Sequence, residues 1–172
     1  MGGDRSKEGD EGLALSGTRK AKTGWPSFVV EVGYSQSLDS LRGAASWWLV
    51  HSGGQTRMVI LIKITEWPLE LHLEQWVKVD DESQRHTWFR QPKVPGMVKY
   101  WKIDAEGEVT HHVKSEDLGT SMEDPDGKKP EDLIIPYRTI FDIDHENAMD
   151  IVISREGLKE WALHQYEGFD SD

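Results

Sequence analysis

The alternation of apolar and polar residues predicts a strand, a helix and a second strand early in the chain. The first strand is predicted over residues 27–32, where residues 28–32 form a short apolar run that contains one acid, Glu31, and Gly33 ends the strand. Residues 58–64 are nearly all β-branched or aliphatic, which is typical of a buried strand. A strand–helix–strand unit of this length favours a parallel crossover. The helix is predicted over residues 37–51, where apolar residues recur at intervals of three and four: Leu38, Leu41, Ala45, Trp48 and Leu49.

The pattern then predicts two antiparallel hairpins. Residues 69–76 alternate strictly between apolar and polar side chains, which indicates a strand that is exposed on one face and pairs with the strand before it. The exposed face would carry Glu70, His72 and Glu74. Residues 79–96 are polar, contain two prolines and are predicted to be a loop. The second hairpin is predicted over residues 98–113, around a turn at 104–107.

The remaining segments predict a C-terminal extension and two poorly structured ends. Residues 115–132 are acidic and are predicted to be a long loop, followed by short apolar pieces at 133–136 and 138–141 and a short strand at 151–153. Ser154 is predicted to cap a helix over 155–166. We expect residues 1–24 to be a flexible glycine-rich arm and residues 167–172 an acidic tail.

Together these elements predict one α/β (α+β) domain over residues 25–166. It would have a small mixed sheet, the first helix packed on one face, and a C-terminal hairpin and helix. No stretch is long enough to span a membrane, so we expect an intracellular protein, cytoplasmic or nuclear, without a signal peptide. The absence of Cys excludes a disulfide framework and thiol catalysis.

The net charge of −11 argues against sequence-independent binding of nucleic acid, but the charge is unevenly distributed. Residues 83–103 contain five basic residues and no acid, with four aromatic residues between them. That combination suits single-stranded nucleic acid, through stacking and phosphate contacts. A solvated loop and an ordinary strand explain the segment equally well. The candidate nucleic-acid contacts are Arg85, Arg90, Lys93, Lys99, Trp101 and Lys102.

Glu31 is the principal candidate for chemistry, because an acid inside a buried strand is rare unless it is paired, metal-bound or at a cleft. An ion pair with Arg42 or Lys63 would explain it, and so would metal binding. Trp47 and Trp48 of the helix are predicted to pack in the core, and stacking on nucleic-acid bases is the alternative. Asp39 suits the positive end of the helix dipole by itself.

The sequence FVVEVGYSQSLDSLRGAASWWL, followed by TRMVILIKI, resembles the core of restriction-endonuclease-like proteins of the PD-(D/E)XK superfamily. The shared features are an apolar strand ending in Glu-Val, a Ser-rich turn, and a helix that ends in an aromatic pair. The later segments LIIPYRTIF and DIVISREGLKEWALHQY extend a similarity to a set of fungal proteins over about residues 25–166.

The resemblance implies a Mg²⁺-dependent DNA hydrolase with Glu31 as the acid of its (D/E)XK motif. Glu31 would hold Mg²⁺, which would polarise a phosphodiester and activate a water. The motif's lysine is absent, because Gly33 stands in its place. Another cation could replace that lysine, either Arg42 on the helix or Lys63 on the neighbouring strand. The implied catalytic residues are Glu31, Gln36, Asp39, Arg42 and Lys63.

The chain departs from the superfamily upstream, where a second metal-binding acid is expected on a preceding strand. Only acids of the arm precede Glu31, namely Asp4, Glu8, Asp10 and Glu11. Two hypotheses follow. A Mg²⁺-dependent nuclease requires a second carboxylate within a few ångströms of Glu31. A non-catalytic relic or protein-interaction module on the same fold predicts an ion-paired Glu31 without that partner.

Overall fold

The computed structural model describes residues 11–13, 24–80, 93–113, 129, 131–141, 146 and 148–167. These residues form a six-stranded sheet, a two-stranded sheet and three helices. The large sheet contains β1 (Glu11–Leu13), β2 (Phe28–Gly33), β3 (Met58–Glu66), β4 (Leu69–Asp80), β5 (Lys93–Asp104) and β6 (Val109–Val113). The small sheet contains β7 (Leu133–Ile135) and β8 (Ile151–Ile153). The helices are α1 (Leu38–His51), α2 (Tyr137–Ile140) and α3 (Arg155–Glu167).

The large sheet is mixed, with its strands in the order β1-β2-β3-β4-β5-β6. Strands β2 and β3 are parallel and are connected through α1, which confirms the predicted crossover. All other neighbouring strands are antiparallel, including the predicted hairpins β3–β4 and β5–β6. The body of the sheet is β2 to β6, and the three-residue β1 adds an edge. The predicted mixed α/β class is therefore confirmed.

Helix α1 packs on one face of the sheet through its predicted apolar stripe. Ser37 caps it, since the Ser40 N–H donates to Ser37 Oγ at 3.2 Å. A Cβ atom built on Gly33 would lie 2.6 Å from Cδ1 of Leu41, so any larger residue at this position would require the Leu41 side chain to move. The buried core on this face consists of Val29, Leu41, Ala45, Trp48, Leu49, Val59 and Leu61.

The opposite face of the sheet packs against the small sheet and α3. Its core includes Phe28, Ile60, Leu73 and Trp101 from the strands, and Leu158 from α3. Ser154 caps α3 as predicted, with its Oγ accepting from the Gly157 N–H at 3.1 Å. None of the three described helices has the length and apolarity needed to cross a membrane.

The loop predicted over residues 79–96 is too long, because β4 continues to Asp80 and β5 begins at Lys93. Pro95 lies inside β5 and pairs with Lys78 of β4. In the described residues β6 pairs with β5 only from Lys99 onward, so the missing N–H of Pro95 falls where β5 has one neighbouring strand. The proline pattern therefore indicates an edge rather than a loop.

Two further expectations change at the ends of the chain. Residues Glu11–Leu13, inside the arm predicted to be flexible, pair with β2 as a strand. The β5–β6 hairpin belongs to the main sheet, so the C-terminal extension consists of β7, β8 and α3 instead. The rest of the arm, most of the predicted acidic loop and the tail after Glu167 lie outside the described residues.

Candidate functional site

The face of the sheet under α1 carries two cross-strand rows that contain three of the candidate residues, Glu31, Lys63 and Lys102. Side chains two positions apart on a strand share a face, so both rows point to the same side. The first row is Glu31, Leu61, Glu74, Tyr100 and His112. The second row is Gly33, Lys63, His72, Lys102 and Thr110.

Glu74 lies at the centre of a buried polar cluster. Its side chain is fully buried and accepts hydrogen bonds from Arg42 Nη2 at 2.6 Å, His72 Nε2 at 2.9 Å and Trp76 Nε1 at 2.8 Å. Burial raises the pKa of Glu74, but these hydrogen bonds and the charge of Arg42 together lower the pKa to about 2. Glu74 is therefore a carboxylate at neutral pH, and His72 donates to it through Nε2.

The sequence did not single out Glu74 as a site residue, because strict alternation in β4 predicted it to be exposed. The structure corrects this: His72 and Glu74 are both buried. Helix α1 covers that face and presents Arg42 to it. The hydrogen bond to Glu74 is the main cause of a raised Arg42 pKa. The sequence feature that could have pointed to a buried acid in β4 is Arg42, a cation on a helix predicted to pack on the sheet.

Glu31 is 6% exposed and accepts a hydrogen bond from Trp48 Nε1 at 2.5 Å. The two cations predicted to pair with it have other partners. Arg42 forms an ion pair with Glu74. Lys63 Nζ donates to the carbonyl oxygens of Tyr34 at 2.5 Å and Ile64 at 2.6 Å. The reason is the position of α1, which directs Trp48 toward β2 and Arg42 toward β4.

Lys63 lies beside Gly33, the residue that stands where the motif would have its lysine. Gly33 and Lys63 are direct partners in the parallel β2–β3 ladder. Because Gly33 has no side chain, the Lys63 ammonium group can reach across the end of β2 to the Tyr34 carbonyl. The structure thus brings Lys63 beside the strand of Glu31.

The two remaining candidates on α1 and its turn lie at the surface. Gln36 is exposed, and the Asp39 side chain is 92% exposed. Asp39 contacts Arg42 Nη1 at 3.4 Å, in addition to its place in the first helical turn. The exposed position of Asp39 agrees with the helix-dipole role that the sequence suggested for it.

The described residues do not fit a magnesium site. Leu61 stands between Glu31 and Glu74, so the backbones of these acids are two strand spacings, about 10 Å, apart. Both carboxylates already accept hydrogen bonds from side chains. No group of three or more His, Asp or Glu side chains in this part of the chain is arranged to hold a metal ion. In the β1–β2 ladder the backbone of Glu11 lies opposite Val30. The other acids of the arm lie outside the described residues.

The basic segment is divided between the two faces of β5. Lys99 and Trp101 are only 6% and 1% exposed and lie on the α3 side of the sheet. Lys99 Nζ donates to the Asp132 carbonyl at 3.3 Å, and Trp101 Nε1 donates to the Glu131 carbonyl at 2.7 Å. This corrects the expectation that Lys99 and Trp101 contact nucleic acid, because alternation along the strand turns both into the core.

The other basic candidates lie elsewhere. Lys93 is exposed at the start of β5. Lys102 is exposed on the α1 side and pairs with Glu70 at 3.3 Å. Arg85 and Arg90 lie outside the described residues. The described cations of the segment therefore do not form one continuous surface.

Replacing Lys99 by Met should raise the free energy of unfolding by about 1 kcal/mol at neutral pH, because burial of the ammonium group costs more than its hydrogen bond to the Asp132 carbonyl returns. Burial lowers the Lys99 pKa, while Asp132 and Glu131 partly oppose that shift. The unfolded chain therefore binds the proton more readily, and the gain from Met should shrink as the pH rises toward about 10.5. Urea unfolding measures both effects, with exposed Lys93→Met as the control. A less stable Lys99→Met would contradict the prediction.

An apolar pocket of about 430 Å³ opens on the α3 side of the sheet. Trp161 of α3 is 37% exposed. The pocket therefore reaches the surface beside α3. All its lining residues are apolar: Phe28, Val30, Ile60, Ile62, Leu73, Leu133, Ile135, Ile153, Leu158 and Trp161.

In comparisons with known proteins, the chain matches no family model, no curated protein and no solved structure. The likeness to PD-(D/E)XK nucleases therefore stays a prediction from the sequence. The structure adds a parallel β2–α1–β3 unit with Glu31 and Lys63 on adjacent strands.

Proposed function

We propose that this chain is a protein-interaction domain on a restriction-endonuclease-like core, and that it does not hydrolyse DNA. The main observation behind the proposal is that the Glu74 carboxylate already accepts hydrogen bonds from three side chains, those of Arg42, His72 and Trp76. Polar groups held in this way stabilise the packing of α1 on the sheet. The cluster under α1 is then structural.

Metal binding would disturb that cluster at a cost. Mg²⁺ requires several oxygen ligands in near-octahedral geometry. A metal at Glu74 would displace His72 or Trp76, and a metal at Glu31 would compete with the indole N–H of Trp48. Each displaced donor would lose its hydrogen bond in a buried setting, which costs about 1–3 kcal/mol per group. The arrangement therefore favours a structural role over a catalytic one.

The opposite face supports the binding part of the proposal. Three exposed apolar side chains lie on or next to β8, where Met149 is 83%, Ile151 46% and Val152 41% exposed. Trp161 joins them at the open side of the pocket. An open apolar pocket next to exposed apolar side chains is the usual form of a binding site for a protein or a small ligand.

DNA hydrolysis is the rival function, and the Gly33–Lys63 register favours it because it supplies a cation beside the motif position. Purified protein should leave supercoiled plasmid intact in Mg²⁺ or Mn²⁺, both as wild type and as Glu31→Gln. Gel electrophoresis of nicked and linear plasmid measures this. Metal-dependent nicking by the wild type that Glu31→Gln abolishes would overturn the proposal. A shortened chain without residues 1–10 would then show whether the arm supplies the second acid.

A further inference from the structure

We infer that β8 binds an extended peptide as an added strand, with an apolar side chain in the pocket and basic residues on either side. This inference rests on the proposed interaction function and specifies its partner. Three properties of the surface carry it: the open edge of β8, the continuity of β8 with the pocket, and the charge of the surrounding segment.

The main chain of β8 has an edge to which a strand can add. In the described residues β8 pairs with β7 alone, with Val152 opposite Ile134. The Ile134 carbonyl accepts from Gln75 Nε2 at 3.2 Å and so points away from β8. Pairs in an antiparallel ladder alternate between bonded and non-bonded, so the N–H and C=O of Val152 point away from β7. In the part of the chain that the structure describes, no strand pairs with them there, so they can bond a new strand in the manner of β-augmentation.

Strand β8 also borders the pocket. Ile153 lines it from β8, and Trp161 lines it from α3. Ile151 shares a face with Ile153 and is 46% exposed, so it extends the apolar surface outward from the pocket. A strand along β8 would turn every second side chain to this face. Main-chain bonds would supply affinity, and the pocket would select a large apolar side chain.

Charge favours a basic partner over a second copy of the chain. From residue 144 to the C-terminus the sequence has eight acids and two bases. Glu146, Glu156 and Glu160 are exposed near β8 and along α3. Two copies that paired through β8 would bring these acids together, whereas a peptide with Lys or Arg beside its apolar residue would be complementary.

The test uses the full chain and a labelled peptide, Lys-Thr-Lys-Val-Leu-Val-Lys-Thr-Lys, in a fluorescence anisotropy titration. Val152→Pro removes the outward N–H without removing a ladder bond to β7, and Val152→Ala is its matched control. Val152→Pro should weaken binding about tenfold or more, while Val152→Ala should stay within about threefold of the wild type. The same peptide N-methylated at Leu should also bind more weakly, which tests the main-chain bond without changing the protein.

Several outcomes would overturn the inference. Strand addition would be excluded if Val152→Pro bound the peptide as tightly as the wild type does, and if the wild type bound the N-methylated peptide as tightly as the unmodified one. Equal binding of a peptide with Glu in place of Lys would exclude charge selection. A concentration-dependent dimer that Val152→Pro abolishes, without peptide binding, would assign the edge to a second copy. Absence of both peptide binding and dimer would also overturn it. Plasmid cleavage that depends on Glu31 tests the proposed function separately, so the two failures are distinguishable.

Discussion

Replacing Glu74 by Gln is expected to lower the free energy of unfolding by about 3 kcal/mol at neutral pH. The variant loses the buried carboxylate that holds Arg42, His72 and Trp76, and its amide cannot accept from all three. The fall of the Glu74 pKa from 4.5 to about 2 corresponds to a stabilisation of about that size. Breaking a buried charge pair by removing one partner costs a similar amount.

Glu70→Gln is the matched control for this prediction. Glu70 lies on the same strand and the same face, and it forms a 3.3 Å ion pair with Lys102 at the surface. Removing a surface ion pair changes stability by about 0–1 kcal/mol. Urea unfolding of the wild type and both variants should therefore separate Glu74→Gln clearly from Glu70→Gln. Similar losses in the two variants would show that the Glu74 cluster contributes no more than a surface pair.

The pH dependence gives a second, independent check on Glu74. Its pKa is lower in the folded chain than in the unfolded chain, so the unfolded chain binds the proton more readily. The stabilisation should be complete above about pH 4.5 and should be lost as the pH falls toward about 2. The difference in stability between wild type and Glu74→Gln should shrink over that range. A difference that stays constant down to about pH 2 would contradict the assignment.

The β2–α1–β3 unit could be predicted from sequence because its signals are local. The apolar stripe of α1, the Ser37 cap and the continuous apolar run of β3 each depend on residues close in sequence. The extent of β4 and β5 could not be predicted in this way. Pro95 and Gly96 indicate a loop by composition, but their tolerance in β5 depends on which neighbouring strands are present, a property of the whole sheet.

The candidate site was predictable only in part, for a similar reason. Glu31 stood out as an acid in a buried strand, and it is buried. Its partner depends on where α1 crosses the sheet, which places Trp48 over β2 and Arg42 over β4. Alternation in β4 identified a polar face but could not show that a helix covers it. Glu74 was therefore missed, although its carboxylate accepts hydrogen bonds from Arg42, His72 and Trp76.

Tyr166→Phe is expected to lower the free energy of unfolding by about 2 kcal/mol. The buried Tyr166 hydroxyl donates to the Ile103 carbonyl at 2.6 Å and accepts from the Leu71 N–H at 3.0 Å, so it joins α3 to β4 and β5. Phe would leave both backbone groups buried without this partner, and each such loss costs about 1–3 kcal/mol before relaxation. Tyr137→Phe is the control, since the Tyr137 ring stacks on Phe141 and is only partly buried.

The same hydroxyl should leave a local signature that a general loss of stability would not produce. Hydrogen exchange at the Leu71 amide should accelerate in Tyr166→Phe more than exchange at other amides of β4, because that N–H loses its acceptor. Burial raises the pKa of Tyr166 to about 12, so the wild-type advantage should be complete below about pH 10 and should be lost as the pH rises toward 12. Unchanged protection at Leu71 would mean that Tyr166 does not hold α3 on the sheet through this bond.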